Sequence, residues 1–124
     1  MIPSGPPPVP LTPVPVFEQD RFDDLRDMIG DARTRVALNE LASALLATFP
    51  ENPPQDPDRT QTFDAAHSMT GRAGFMGFSA LQHACADLQQ ACATQAPFGA
   101  EYARSCGVAR ASYDVIMSLL AKPL

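Results

Sequence analysis

Residues 66–77 have the sequence AHSMTGRAGFMG, a helical pattern that nevertheless contains three glycines. A glycine inside a helix costs roughly 0.5–1 kcal/mol relative to alanine, so a sequence under no other demand would place alanine there. At about 100° per residue, Gly71 and Gly74 lie about 40° and about 20° to either side of His67 on the helical wheel. We therefore expect His67 to stand on a helix face without bulky neighbours, which another protein can approach closely.

Apolar residues at three- and four-residue spacing recur along the chain, and no strand pattern is present. We predict a short first helix that ends at Gly30, a second helix capped by Asp31, and a third helix that starts near Asp58 and breaks around Gly77. A fourth helix, which Ser79 helps to cap, and a fifth helix follow. Helices with such stripes and short loops pack against one another. The predicted fold is therefore all-α, an antiparallel four-helix bundle with a short extra N-terminal helix.

The apolar stripe of each predicted helix is expected to face the core. The main stripe positions are Leu25, Val36, Leu38, Leu41, Leu45, Met69, Ala73, Met76, Leu81, Cys85, Leu88, Cys92, Tyr102, Cys106, Ala109, Tyr113 and Ile116. Cys85 and Cys92 fit this packing role, and the alternative for them is a reactive thiol.

Composition and charge limit the classes of partner. The chain of 124 residues is long enough for one domain with one core, and its net charge of −5 argues against nucleic acid and anionic membranes as partners. No apolar run approaches the roughly 20 residues of a membrane-spanning helix. Three cysteines are too few for a disulfide framework. We therefore expect a reduced, cytoplasmic protein.

The N-terminal segment differs from the rest of the chain. Residues 1–16 contain seven prolines, which predicts an extended tail, whereas residues 17–124 form the helical domain. The tail is interpreted as a linker, and the alternative is a ligand for a proline-binding groove, since Pro7 and Pro10 form one P-x-x-P match.

Two neighbouring helices carry a resemblance to a known family. The AHSMTG run at residues 66–71, Gly77 ten positions after the histidine, and the Leu81, Cys85 and Leu88 series resemble the histidine phosphotransfer (HPt) family. The pattern of that family is alanine-histidine, an apolar residue two positions on, usually lysine three on, and glycine four and ten on. The similarity covers about residues 17–120. It implies a phosphocarrier whose histidine receives a phosphoryl group and passes it to a receiver aspartate.

The resemblance implies that His67 is the phosphoryl acceptor and donor. The supporting positions that it implies are Thr70, Gly71, Gly74, Gly77 and Gln89. The glycines would shape access to the imidazole. Thr70 replaces the usual lysine, so it can donate a hydrogen bond but cannot screen phosphoryl charge. Gln89 stands where chemotaxis-type domains carry a glutamate that bonds the histidine, and it could still orient the ring.

Aromatic and basic residues near His67 suggest where a partner docks. Phe63, Phe75 and Phe78 fall within about 80° of the histidine on the wheel. They either cover the ends of the bundle or form an apolar rim for the first helix of a receiver. Arg59 and Arg72 either contact an acidic receiver pocket or are solvated.

The expected partners are a response regulator receiver domain and a sensor histidine kinase. Phosphoryl transfer needs in-line positioning and charge neutralisation, which the Mg²⁺ and lysine of the receiver would supply. We therefore expect no cofactor and no ATP site in this chain, and a monomer. One alternative is a non-phosphorylated HPt-like adaptor that docks a receiver or kinase. Another is a bundle that holds a metal through His67 and His83.

Overall fold

The structure is a computed structural model that describes residues 14–122, and this part of the chain contains five α-helices and no strand. The helices are α1 (Gln19–Ile29), α2 (Asp31–Thr48), α3 (Arg59–Phe75), α4 (Ser79–Ala93) and α5 (Gly99–Leu120). Helices α2 to α5 form a bundle in which α3 packs along α4, α4 along α5, and α5 along α2. Helix α1 packs across α2 and α3. The predicted all-α bundle with a short N-terminal helix is confirmed.

The core is built from the apolar stripes that the sequence predicts. Its largest fully buried side chains include Phe22, Leu38, Leu41, Leu45, Phe78, Leu81, Cys85, Leu88 and Ile116. Three fully buried polar residues, Thr34, Ser105 and Ser112, do not belong to an apolar stripe. Their hydroxyls donate to the carbonyl oxygens of Gly30, Ala84 and Val108 respectively, which removes the cost of burying an unpaired polar group. Val36, by contrast, is 57% exposed, so its predicted place in the core is wrong.

Cys85 and Cys92 are buried free thiols in this core. Burial raises the pKa of the Cys85 thiol to about 12, so the group stays protonated at neutral pH. A thiolate is the reactive form of cysteine. The structure therefore favours the packing role of Cys85 over a reactive thiol.

The helix ends in the structure confirm one of the predicted capping residues and contradict two. The Asp58 side chain accepts a bond of 2.8 Å from the Gln61 amide and caps α3, as predicted. The predicted caps Asp31 and Ser79 are wrong, because each is the first residue of its helix and makes no capping hydrogen bond. Gly30, at φ 88°, ends α1 and leads directly into α2 without a loop.

The segment before α1 binds the turn between α3 and α4. The Ala80 amide donates to the Pro15 carbonyl at 3.0 Å, and the Glu18 amide donates to the Gly77 carbonyl at 2.8 Å. The Phe17 ring lies 5.1 Å from the Phe78 ring. The last residues of the predicted tail thus already contact the bundle and fix the turn that follows the His67 helix. The rest of that tail, with its P-x-x-P match, lies outside the described residues.

No helix within residues 14–122 is both long enough and apolar enough to span a membrane.

Candidate functional site

His67 lies near the middle of α3 and its side chain is exposed to solvent. Ala66, Met69 and Ala73 of the same helix are buried against the rest of the bundle. The helix is therefore amphipathic in the predicted sense, with the imidazole on the outer face and small or flexible apolar side chains on the inner face. An exposed imidazole can present a nitrogen lone pair to a second protein.

The imidazole has an aromatic neighbour on one side and open space on the other. The Phe63 ring, one turn earlier, is stacked with the His67 ring at an interplanar angle of 4° and a centroid distance of 6.3 Å. A Cβ on Gly71, one turn later, would meet no atom within 4 Å. The expectation of a face without bulky neighbours is thus correct for the C-terminal side of the histidine and wrong for its N-terminal side.

The three glycines differ in what surrounds them. Gly74 is buried, and a Cβ there would lie 2.6 Å from Cδ of Gln82 on α4. Gly77 has φ 91°, and a Cβ there would lie 2.7 Å from the carbonyl oxygen of Glu18. Gly74 therefore leaves room for the Gln82 side chain of α4, and Gly77 forms the turn between the two helices. Of the three glycines predicted to shape access, Gly71 is the one that leaves the histidine face open.

Thr70 and Gln89 were predicted to hydrogen-bond near the histidine. The Thr70 hydroxyl donates to the Ala66 carbonyl at 2.7 Å, so its proton is used within its own helix. Gln89 is half-buried on α4. In the part of the chain that the structure describes, neither side chain is bonded to the imidazole of His67. Their support of His67 stays a prediction.

The predicted aromatic rim divides into exposed and buried residues. Phe75 is 63% exposed and Phe63 is half-buried. Phe78 is fully buried, and its ring packs against that of Phe17, so its predicted place in a docking rim is wrong. The reason is that α3 ends at Phe75, and beyond the helix end the wheel no longer describes where a side chain points.

The two predicted cationic contacts also differ. Arg72 is exposed on α3. Arg59 donates to the carbonyl oxygens of Ala91, Cys92 and Ala96 at 2.8–3.2 Å, and its guanidinium lies 4.9 Å from the centroid of the Phe98 ring. Arg59 therefore satisfies free carbonyls at the C-terminal end of α4 rather than facing a partner.

A depression of about 340 Å³ lies beside Gly71, between α1, α2 and α3. We call it the α1–α3 groove. Its apolar lining includes Leu25, Leu41, Phe75 and Met76, and the charged residues Glu40 and Arg72 also line it. Met28 of α1 lines a second depression together with Phe75 and is 71% exposed. Sequence periodicity alone does not reveal this groove, because it forms only when three helices pack together.

The described residues contain no group of three or more histidine, cysteine or acidic side chains that could hold a metal ion. His67 and His83, the two histidines considered for a metal site, thus belong to no such group in this part of the chain.

The fold and the site define a helical bundle in which α3 carries an exposed histidine, and Gly71, one turn later, lines an apolar groove. The family model of the Hpt domain matches residues 19–110, well over half of the chain, and the chain therefore belongs to the Hpt domain family. Domains of this family act in phosphotransfer in two-component phosphorelays, where they interact with receiver domains and kinases. The search among curated proteins and the search among solved structures each give no match.

Proposed function

We propose that this chain relays a phosphoryl group through a phosphohistidine at His67, between receiver domains or from a sensor histidine kinase to a response regulator. The observation that carries the proposal is the position of this imidazole, which is exposed on α3 with open space over Gly71. The family membership supports the same role.

Phosphoryl transfer requires little of the bundle beyond a rigidly held nucleophile. A neutral imidazole nitrogen attacks the phosphorus of an aspartyl phosphate, and the N–P bond forms as the P–O bond to the aspartate breaks. The aspartate leaves as a carboxylate, and the return step reverses these bonds on a second receiver. Charge on the transferred group must be neutralised, and we assign this to Mg²⁺ and lysine of the receiver. The chain itself then needs no cofactor and no ATP site.

The docking surface that we propose runs from Gly71 to Phe75 and includes the α1–α3 groove. An exposed aromatic ring beside an apolar depression suits the apolar side of a receiver helix. Arg72, which lines the groove, would meet acidic groups around a receiver active site. Such a contact is expected to be small and transient, as a relay requires. The chain would act as a monomer in the cytoplasm.

A second candidate function is an adaptor that docks a receiver or kinase without accepting phosphate. Thr70 favours it, because threonine replaces the usual lysine and its hydroxyl proton is engaged with Ala66. The site then lacks a cation of its own three residues after the histidine.

One assay separates the two candidates. The chain is incubated with a ³²P-phosphorylated receiver, and the label on the chain is tested for acid lability and alkali stability. We expect such label on the wild type and on His83→Gln, which changes an exposed histidine of α4, and none on His67→Gln. Binding of the receiver without any label on the wild type would refute the relay and favour the adaptor.

A further inference from the structure

Within residues 14–122, the parallel rings of Phe63 and His67 form the one aromatic contact of the imidazole. The centroid distance of 6.3 Å falls within the about 4.5–7 Å over which aromatic rings interact, and the interplanar angle of 4° makes the pair parallel. Side chains of a helix lean toward its N-terminus, so a residue covers the turn that precedes it. His67 therefore lies naturally over the turn that carries Phe63.

Phe63 is itself held in place by the bundle. It is half-buried and packs against the hydrophobic core, whereas His67 is exposed. The stack thus places the exposed imidazole of His67 against the Phe63 ring, which the core holds in position. An exposed histidine without such a contact would exchange among several rotamers.

The orientation of the stack leaves the nucleophile free. The lone pair of an imidazole nitrogen lies in the plane of the ring, and a stacked neighbour covers a face of the ring rather than its edge. One turn after the histidine, a Cβ built on Gly71 would meet nothing within 4 Å, so the space on that side is open. The stacked ring can therefore present its edge to a partner that approaches over Gly71.

We propose that Phe63 is a positioning residue for phosphoryl transfer, which holds the imidazole of His67 in the orientation that in-line attack requires. This inference rests on the proposed relay function. It differs from the predicted role of Phe63 in an apolar docking rim, because a rim residue contributes to receiver affinity and a positioning residue contributes to the rate within the complex. Restricting a nucleophile to a reactive orientation accelerates a reaction without new contacts to the substrate.

The test compares variants that keep or remove the ring. Phe63→Leu and Phe63→Met keep an apolar side chain against the core, and Phe63→Tyr keeps the aromatic ring. For each variant, single-turnover transfer from a phosphorylated receiver is measured over a range of receiver concentrations. Proton NMR of the His67 ring protons then reports the ring-current shift from residue 63, and thermal melting reports folding.

We expect Phe63→Leu and Phe63→Met to reduce the rate at saturating receiver about three- to tenfold, with KM little changed. Both should lose the ring-current shift, and Phe63→Tyr should retain both the shift and the rate. Phe75→Leu, changed at an exposed ring outside the stack, should raise KM instead.

The outcomes distinguish the two proposals. If the wild type takes no label, the relay function fails and the role of Phe63 fails with it. If the wild type is labelled while folded Phe63→Leu and Phe63→Met keep the wild-type saturating rate, the relay stands and the positioning role is overturned. A raised KM at unchanged saturating rate would assign Phe63 to the docking rim.

Discussion

Gly74 on α3 lies directly against the side chain of Gln82 on α4, so that a Cβ built on the glycine would stand 2.6 Å from Gln82 Cδ. A Cβ on Gly71, one turn earlier in the same helix, would meet no atom within 4 Å. The two glycines lie close together on the helical wheel, but the space beside Gly74 is occupied and the space beside Gly71 is open. Gly74 makes room for the Gln82 side chain, whereas Gly71 makes room outside the bundle.

Gly71→Leu is expected to block phosphoryl transfer without harming the fold. The leucine side chain would occupy the space beside His67 through which a receiver approaches. Replacing an unhindered helical glycine should raise the free energy of unfolding by roughly 0.5–1 kcal/mol. Urea unfolding and transfer from a phosphorylated receiver are the two measurements.

Gly74→Leu is the matched control, because the same side chain enters the same helix one turn later. It must displace the flexible amide end of the half-buried Gln82 side chain, so we expect it to lose the gain in stability predicted for Gly71→Leu. An equal change of stability in Gly71→Leu and Gly74→Leu would contradict the distinction between the two glycines.

Phe75 and Phe78 provide a second contrast, between a docking residue and a core residue. Phe75→Ala should leave the melting temperature near that of the wild type and raise KM for the receiver, because the ring is 63% exposed beside the α1–α3 groove. Phe78→Ala should lower the free energy of unfolding by about 3–5 kcal/mol, since its ring is fully buried. Thermal melting and receiver titration check the pair. A wild-type KM for Phe75→Ala would remove this ring from the docking surface.

The sequence predicted the fold well because the signals for it are local. Apolar stripes gave the helices and most of the core, and Asp58 marked the start of α3 correctly. The capping predictions for Asp31 and Ser79 were wrong because each residue is already the first residue of its helix, so neither lies at the capping position. The short connections that precede these helices have no clear local pattern.

The surroundings of the histidine were harder to predict because they depend on packing between helices. On the helical wheel, Gly74 and Phe78 lie on the same side as the histidine. In the structure, the Gln82 side chain of α4 covers Gly74, and Phe78, which lies beyond the end of α3, is buried in the core. Arg59 has no sequence signal that links it to the end of α4, more than thirty residues away. The spacing of Phe63 and His67, by contrast, already predicts contact, since residues four apart meet on a helix.

Alkaline pH should destabilise the bundle through Cys85. Its pKa is raised from 9.0 to about 12 by burial, so the folded state keeps the proton at pH values where the unfolded state releases it. The stabilisation from this group is complete below about pH 9 and is lost as the pH rises from about 9 to about 12. The slope from one such group is at most about 1.4 kcal/mol per pH unit.

Urea unfolding of the reduced protein at several values between pH 8 and pH 10.5 measures this slope. Cys85→Ala is expected to be less stable at pH 8 because of the cavity, but its stability should fall less steeply with pH. Other groups titrate in the same range, so the difference between the two proteins is the quantity of interest. Equal slopes would show that burial does not perturb the Cys85 thiol.

Arg59 should act on stability and not on transfer. Its guanidinium donates to three carbonyl oxygens at and beyond the end of α4, at 2.8–3.2 Å. Hydrogen bonds to charged groups contribute about 1.5–3 kcal/mol, and Arg59→Ala should therefore lower the free energy of unfolding by about that amount. Arg104→Ala is the control, because Arg104 forms an exposed ion pair with Asp87 at 2.6 Å that is worth at most about 1 kcal/mol. Both variants should transfer at the wild-type rate at a temperature where they are folded. If Arg59→Ala instead kept its stability and lost affinity for the receiver, Arg59 would belong to the docking surface and its bonds to α4 would contribute little.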